Sequence, residues 1–439
     1  MTKLAERLDR LSDVTPYMIE GKVAGVVGAE IEIRGLRLRV GDAIEVVGSA
    51  GPQPGEIIAL APDGARALLY GDPLGIGSGD RVVRLAEGHG VPLTSALIGR
   101  VIDAMGRPLD GGPPLASTRG TPAGRAPSPL ARARILQPLP VGVRAIDVFA
   151  TTGKGQRIGI FGGSGVGKST LLGMMAGGTT ADVTVLALIG ERGREVREFI
   201  EDELGSEGMQ RSVVVVATSD QPALVRIRAS HLATRIAEWF ADQGADVLLM
   251  MDSLTRLAMA RREVGLAAGE PPTARGYTPS VFAEMAHLLE RAGPREVGTI
   301  TGFYTILVEG DDMNDPIADA ARSILDGHIV LDRGLAHAGR YPAIDPLASL
   351  SRLAPKLVDA KRTALVTRAR GALAAAEEVR DLVEVGAYVP GTNPGADLGL
   401  AVKPHLVEFL KQPPSDRPSF EDSWARLEAL APVLGDDGS

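Results

Sequence analysis

Residues 162–170 read GGSGVGKST, and Gly162, Gly167, Lys168 and Ser169 in that order satisfy the pattern G-x-x-x-x-G-K-[ST]. Gly163 and Gly165 lie between them with Ser164 and Val166, so the chain can curl until several backbone N–H groups point into one anion-sized hollow. Side chains at those glycines would block that approach. Lys168 is placed to reach the β- and γ-phosphates as a point charge, and Ser169 to offer its hydroxyl to Mg²⁺. The helix expected to continue through Thr170, Leu171, Leu172 and Met175 aims its positive end at the same phosphates. Arg157-Ile158-Gly159-Ile160-Phe161 reads as a short strand feeding the loop, which is the context a phosphate loop needs. The run Gly162 to Thr170 is therefore the candidate nucleotide site, holding a phosphate chain with its Mg²⁺.

Binding alone does not hydrolyse anything, so a metal anchor and a group that handles water must be found. Asp246-Val247-Leu248-Leu249-Met250-Met251-Asp252 is an almost unbroken apolar run closing on a carboxylate. It is expected to form a parallel strand buried on both faces, with Asp252 at its carboxyl end as the Mg²⁺ anchor. A second apolar run, Val183 to Ile189, ends in Gly190-Glu191-Arg192-Gly193-Arg194-Glu195, which sets acids and arginines at another strand end. Ligands of open α/β sheets gather at that edge.

GGSGVGKST, GERGRE, LLMMDSLTR and YPAIDPLASLSR occur in the order and at spacings that resemble the catalytic β subunits of rotary ATP synthases. FGGSGVGKSTLLGMMAG and ALIGERGREVREFIE are closer still to the flagellum-specific type III export ATPases, and the likeness runs over nearly the whole chain. The resemblance implies an α/β fold: a RecA-like P-loop core with a mostly parallel sheet, preceded by a small β-barrel and followed by a small helical domain. It also implies that Glu191 polarises the attacking water, Arg192 touches the γ-phosphate, Glu195 and Asp252 support the magnesium shell, and Tyr341 stacks on adenine. Arg352 matches the position that reaches into a neighbouring subunit's site as an arginine finger, a device worth roughly 10³–10⁵ in turnover. Asp311-Asp312 falls near the nucleotide site by the same likeness, or else in an exposed loop.

Composition excludes several other classes. At 439 residues the chain suggests two or three domains. The absence of cysteine rules out disulfides, cysteine-ligated zinc and iron–sulfur clusters. The six histidines lie far apart with no metal-ligand spacing, so His231 is expected to be a packing or surface residue, and Met174-Met175 core. No apolar run approaches the ~20 residues needed to span a bilayer, and MTKLAERLDR lacks the apolar core of a signal peptide, so a cytoplasmic location is expected. A net charge of −8 argues against an electrostatic grip on nucleic acid.

Four segments are expected: residues 1–20, an N-terminal partner-docking segment; 21–95, the barrel; 96–358, a linker and the P-loop domain; and 359–439, a helical domain. Leu4, Leu8 and Leu11 fall on one face of a short amphipathic helix. From Gly21 to about Leu85 apolar and charged residues alternate with period two, and glycines punctuate the runs. Residues 97–114 resemble the family's crossing from barrel to core, and the Pro- and Gly-rich stretch to about Gly142 is expected as an extended linker. Beyond Ala360, helices are expected at 372–385 and 405–411. The Ala286-His287 pair departs from the family's proline-containing stretch and leaves the local helix start open.

Four rival functions share parts of this pattern. A nucleotide-holding, non-catalytic α-type subunit lacks the water-activating glutamate, whereas Glu191 is present. A hexameric RNA translocase needs basic and aromatic surfaces, whereas aromatics are 4% of this chain. A rotary β subunit carries an acidic DELSEED stretch that is missing here. A virulence-secretion ATPase differs in the details of GGSGVGKSTLLGMMAG. The expected function is an ATP hydrolase of the flagellar export apparatus that releases chaperones and delivers or unfolds export substrates. The resemblance implies a homohexamer, a stalk-like regulatory partner at the N-terminus, a central-stalk-like export protein, export-gate membrane proteins at the flagellar base of the inner membrane, and chaperone–substrate complexes; it implies no nucleic acid.

Overall fold

The computed structural model describes residues 20–118, 121–308, 312 and 315–435. The leucine stripe of the first fourteen residues and Asp311 lie outside them. The chain divides into two compact units, one reaching to His89 and taking in Ala267–Gly269, the other holding everything else.

In the first unit six strands close into an antiparallel barrel: β1 (Glu20–Val27), β2 (Glu30–Arg34), β3 (Ala43–Gly48), β4 (Gly51–Ala61), β5 (Gly64–Leu69) and β6 (Arg81–Leu85). Their order is β1-β2-β5-β4-β3-β6, and β6 pairs back to β1. The period-two pattern decides which way each side chain faces. Val23, Ile31, Ile33, Ile44, Val46, Ile57 and Val82 fill the interior, while Glu32, between Ile31 and Ile33, points out.

The second unit is built on a nine-stranded sheet. Its strands are β7 (Val101–Asp103), β8 (Arg157–Gly162), β9 (Val183–Glu191), β10 (Ser212–Thr218), β11 (Asp246–Asp252), β12 (Gly293–Pro294), β13 (Thr299–Leu307), β14 (Gly327–Leu331) and β15 (Ile344–Ser351). The order is β15-β14-β8-β13-β11-β9-β10-β7, with β12 beside β13. All pairings are parallel except those of β12 and β15. The continuous apolar runs of β9, β10 and β11 are buried along nearly their whole length, as strands covered on both faces must be.

Three local expectations need correction. The stretch after residue 97 is not only a linker, because Val101–Asp103 joins the sheet as its edge strand beside β10. The first C-terminal helix runs Ala360–Glu378, twelve residues earlier than the apolar pattern begins, because Asp359 caps it by accepting from the Arg362 N–H. It stops at Glu378, and a separate short helix, Arg380–Glu384, follows. The next long helix spans Pro394–Leu410 and accommodates Pro404 in its interior; Asn393 caps it and Pro394 takes its first turn. Ala286 and His287 prove to be the end, not the start, of a helix that begins at Pro279.

The helical C-terminal segment is fastened to the core through α1 (Arg144–Phe149). Arg144 is buried and gives its guanidinium to the carbonyls of Phe409 and Lys411 and to the Asp416 carboxylate. Gln412 accepts from the Arg144 N–H at 2.9 Å and donates to the carbonyls of Gly142 and Asp416. At the other end of α1, the wholly buried Asp147 accepts from the N–H groups of Val141 and Gly142 at 2.9 and 3.0 Å. Burial outweighs these bonds and pushes its carboxyl up to about 7.

A carboxyl held above its unfolded value stabilises the fold below that value, and the stabilisation is lost as pH rises through the folded one. Asp147 should therefore cost stability progressively between about pH 4 and 7, by at most ~4 kcal/mol. Asp147→Asn does not titrate. Thermal melting of both proteins should show the wild type gaining on the variant as pH falls from 8 to 5; a constant difference would show that Asp147 ionises normally.

Candidate functional site

Because β8, β9, β11 and β13 are parallel neighbours, their carboxyl ends form one edge, and the register aligns them closely. Gly162 lies opposite Leu307, and Asp252 opposite Leu188. The phosphate loop leaves β8 here and turns into α2 (Lys168–Gly178). Gly165 and Gly167 have φ of 78° and 86°, the left-handed region that favours glycine. Val166 is buried beneath the loop, and Leu331 packs so closely on Gly162 that a β-carbon there would meet it at 2.9 Å.

A cavity of about 380 Å³ opens at this edge. Ser164, Gly165, Gly167, Lys168, Ser169 and Thr170 line it from the loop, and Glu191, Arg192, Glu195 and Asp252 from the neighbouring strand ends. Ten sequence-predicted residues thus share one wall. Gly162, Gly163 and Val166 support the loop without lining the cavity. Tyr341 stands at its margin, 46% exposed, with its ring 3.4 Å from where a β-carbon on Gly167 would be. Its carbonyl accepts from the Gln412 N–H, so the C-terminal segment touches the tyrosine directly.

Burial dominates the electrostatics of the cavity. Lys168 Nζ donates to the carbonyls of Gly162 and Gly163 at 3.2 and 3.1 Å, and burial lowers its pKa. Asp252 is buried, accepts from Thr305 Oγ1, and is raised by that burial. Glu191 is pushed up to about 7, first by burial and then by the Asp252 carboxylate, with Arg256 opposing. Arg192 pairs with Glu195 at 3.0 Å.

Arg256, Ser253 and Thr305 belong to the site and were not singled out from the sequence. Arg256 Nε lies 3.2 Å from Glu191 Oε1 and crosses over Gly190, where a β-carbon would meet its side chain at 2.5 Å. The available signal was position: Arg256 follows Asp252 by four residues, in the first turn of α6 (Leu254–Ala267), with α3 (Gly193–Glu198), α4 (Gly205–Met209) and α5 (Ala223–Asp242) preceding it.

Arg352 is not brought to this cavity. β15 is antiparallel to β14, pairing Ile344 with Leu331 at the loop end and Ser351 with Gly327 at the other. Arg352 therefore lies at the amino end of the parallel strands, exposed, donating to the Arg322 carbonyl at 3.3 Å. His231 is a packing residue, held between Glu284 and Arg291 at 2.5 and 2.9 Å, and Met174 and Met175 are core. Asp312 accepts from Arg275 at 2.7 Å.

Residues 142–351 match the model of the ATP synthase alpha/beta family nucleotide-binding domain, and residues 358–429 that of the T3SS EscN ATPase C-terminal domain. The chain is 48% identical to the flagellum-specific ATP synthase of Bacillus subtilis, over 98% of this chain and 99% of that one. It belongs to the family of flagellum-specific and type III secretion ATPases. The type 3 secretion system ATPase of Xanthomonas euvesicatoria is 47% identical over 95% and 94% of the two chains. Among solved structures, the assembled ATPase EscN of enteropathogenic E. coli superposes with a TM-score of 0.89 at 43% identity, over 94% of this chain and all of that one. EscN in complex with its central stalk EscO gives 0.86 at 42%. The fold class read from the sequence is the one observed, and the chain is an ATP-hydrolysing enzyme.

Gly167 tests the loop directly. Gly167→Ala forces a β-carbon into a left-handed residue beside Tyr341, at a conformational cost of about 1–2 kcal/mol that relaxation of the loop would relieve. Nucleotide titration should show at least ~10-fold weaker binding with an unchanged thermal melt; unaltered affinity would mean that the loop geometry does not select the ligand.

Proposed function

We propose that this chain is the ATPase of a flagellar type III export apparatus, hydrolysing MgATP to release chaperones and to deliver or unfold export substrates. The observation that carries the chemistry is the convergence of the phosphate loop, Glu191 and Asp252 on one cavity. Full-length likeness to flagellum-specific ATP synthases supports the flagellar assignment.

In this reading Lys168 and the loop amides hold the phosphates, and Glu191 orients the water that attacks the γ-phosphorus. Burial raises the proton affinity of the Glu191 carboxylate, which favours its accepting that water's proton. Arg192 meets the γ-phosphate, and Tyr341 covers the adenine. The donors suit magnesium: Ser169 and Asp252 are hard oxygen ligands on the same cavity wall, and Glu195 lies near enough to support its waters. Among the described residues no group of three or more histidine, aspartate or glutamate side chains could hold a metal ion. Bound there, magnesium would neutralise charge building on the phosphate oxygens.

Arg352 would serve the site of a neighbouring copy, since its place in its own chain is the length of β14 away from the loop edge. That requires a head-to-tail ring, proposed as a homohexamer. Among the described residues no helix is long and apolar enough to cross a membrane. The chain would act in the cytoplasm, brought to the inner membrane at the flagellar base by partners: a stalk-like regulator at residues 1–20, a central-stalk-like export protein, export-gate proteins, and chaperone–substrate complexes. No nucleic-acid partner is proposed.

Glu191→Gln should bind MgATP almost normally and hydrolyse it at least ~10²-fold more slowly, whereas Lys168→Ala should lose binding as well. Wild-type turnover in Glu191→Gln would remove its assignment. A mixing experiment addresses the ring: Arg352→Ala and Glu191→Gln chains, each inactive alone, should regain partial activity together, because some interfaces then carry both native residues. Absence of rescue, with specific activity independent of protein concentration, would mean Arg352 does not act across subunits.

A further inference from the structure

The residues proposed to meet the γ-phosphate and the magnesium shell, Arg192 and Glu195, stand on a poorly anchored support. Arg192 is the N-cap of α3, and Glu195 is in its first turn; α3 itself buries no side chain completely, with Val196 packing half-buried against the core. Its anchorage comes from the residues that follow, Phe199–Leu204, which form a π-helical turn with Phe199 and Leu204 buried. Such turns are rare and concentrate at functional sites. This one returns to the phosphate-loop helix. Glu203 Oε1 accepts from Thr170 Oγ1 at 2.7 Å, and Thr170 lines the cavity immediately after Lys168 and Ser169. Three residues along the same helix, Gly173 lets the two backbones touch: a β-carbon there would lie 2.8 Å from both Glu203 Cβ and Glu203 O.

We propose that Glu203 is a positioning residue for ATP hydrolysis, latching the water-side arm, Glu191 to Leu204, to the phosphate-side helix through the Thr170 hydroxyl. β9 and the loop are already fixed to each other at the base by the sheet. The latch fixes them at the top, so that Arg192 and Glu195 face the phosphates at a set distance. Releasing it leaves the glycine loop and Lys168 in place, and nucleotide binding with them. What is lost is alignment, to which turnover is far more sensitive than binding is.

The inference rests on the roles proposed for Arg192 and Glu195. It is tested by steady-state hydrolysis with the full-length chain across MgATP concentrations. Glu203→Leu and Thr170→Val should each lower kcat by about 10-fold while KM stays within about 2-fold. Glu203→Gln keeps the acceptor and Thr170→Ser keeps the donor, so each should recover most of the turnover. Each apolar single variant leaves one half-buried polar partner unmatched, whereas Thr170→Val with Glu203→Leu removes both, so the double variant should lose less than the product of the two losses. A rise in KM at unchanged kcat, or losses that simply multiply, would overturn the latch. Wild-type kcat in Glu203→Leu while Glu191→Gln is inactive would overturn the latch alone; full activity in Glu191→Gln would instead overturn the site reading beneath it.

Discussion

The common edge at which the parallel strands end determines most of what this chain can do. Strands that run together end together, so the turn after β8, Glu191 after β9 and Asp252 after β11 meet without any side chain having to reach. Bringing these charges to one half-buried place is costly, and the shifts record it. Burial drives Lys168 down and Asp252 and Glu191 up, each toward its neutral form. Each group would be held in its charged form more readily by a ligand of opposite charge. A nucleotide polyphosphate supplies negative charge beside Lys168, and the divalent cation proposed to accompany it would supply positive charge beside Asp252 and Glu191.

The same edge reaches the C-terminal helices through a short covalent and hydrogen-bonded path. Gln412 donates its N–H to Tyr341, takes the Arg144 N–H on its side chain, and ties Gly142 to Asp416. Gly142 in turn lies against Gly178 at the end of the phosphate-loop helix, where a β-carbon would collide with backbone at 2.7 Å. Tyr341 is therefore hydrogen-bonded to the segment that leaves the helix ending at Leu410. The buried Arg144 holds that segment in place, since its guanidinium cannot give up three acceptors without leaving a charge unpaired.

What the sequence revealed follows from how local the signal is. The loop is legible because its glycines, lysine and serine fall at fixed spacings within residues 162–169, and Asp252 because a doubly buried strand announces itself by an apolar run. The edge strand Val101–Asp103 is three residues long, too short for any periodicity, and exists only because β10 offers it a partner. The helix at Ala360 opens with Lys361, Arg362 and Thr363, so its start depends on a cap and not on an apolar face. Glu203 and Thr170 are thirty-three residues apart, and only the turn at Phe199–Leu204 brings them together. Arg256 lay inside a recognised motif, but its salt bridge to Glu191 depends on Gly190 leaving room across the strand end.

β15 supplies the last step. Its start adjoins Tyr341 and its end adjoins Arg352, so one strand carries the residue proposed for the base at one end and the residue proposed for a neighbour's phosphate at the other. It lies at the sheet's border, antiparallel to β14, with no strand beyond it among the described residues. Asp326 and Gln156 hold its far end: the Asp326 carbonyl accepts from the Arg352 N–H, and Gln156 donates to Ser351 at 2.9 Å. Gln156 immediately precedes β8, the strand that feeds the phosphate loop. Gln156 thereby joins the base of that strand to Ser351, beside Arg352, at the opposite end of the strands from the cavity. In a ring built on the proposed finger, these bonds, made by residues at or beside the strand ends, would connect one site's phosphate-loop strand to the next subunit's chemistry.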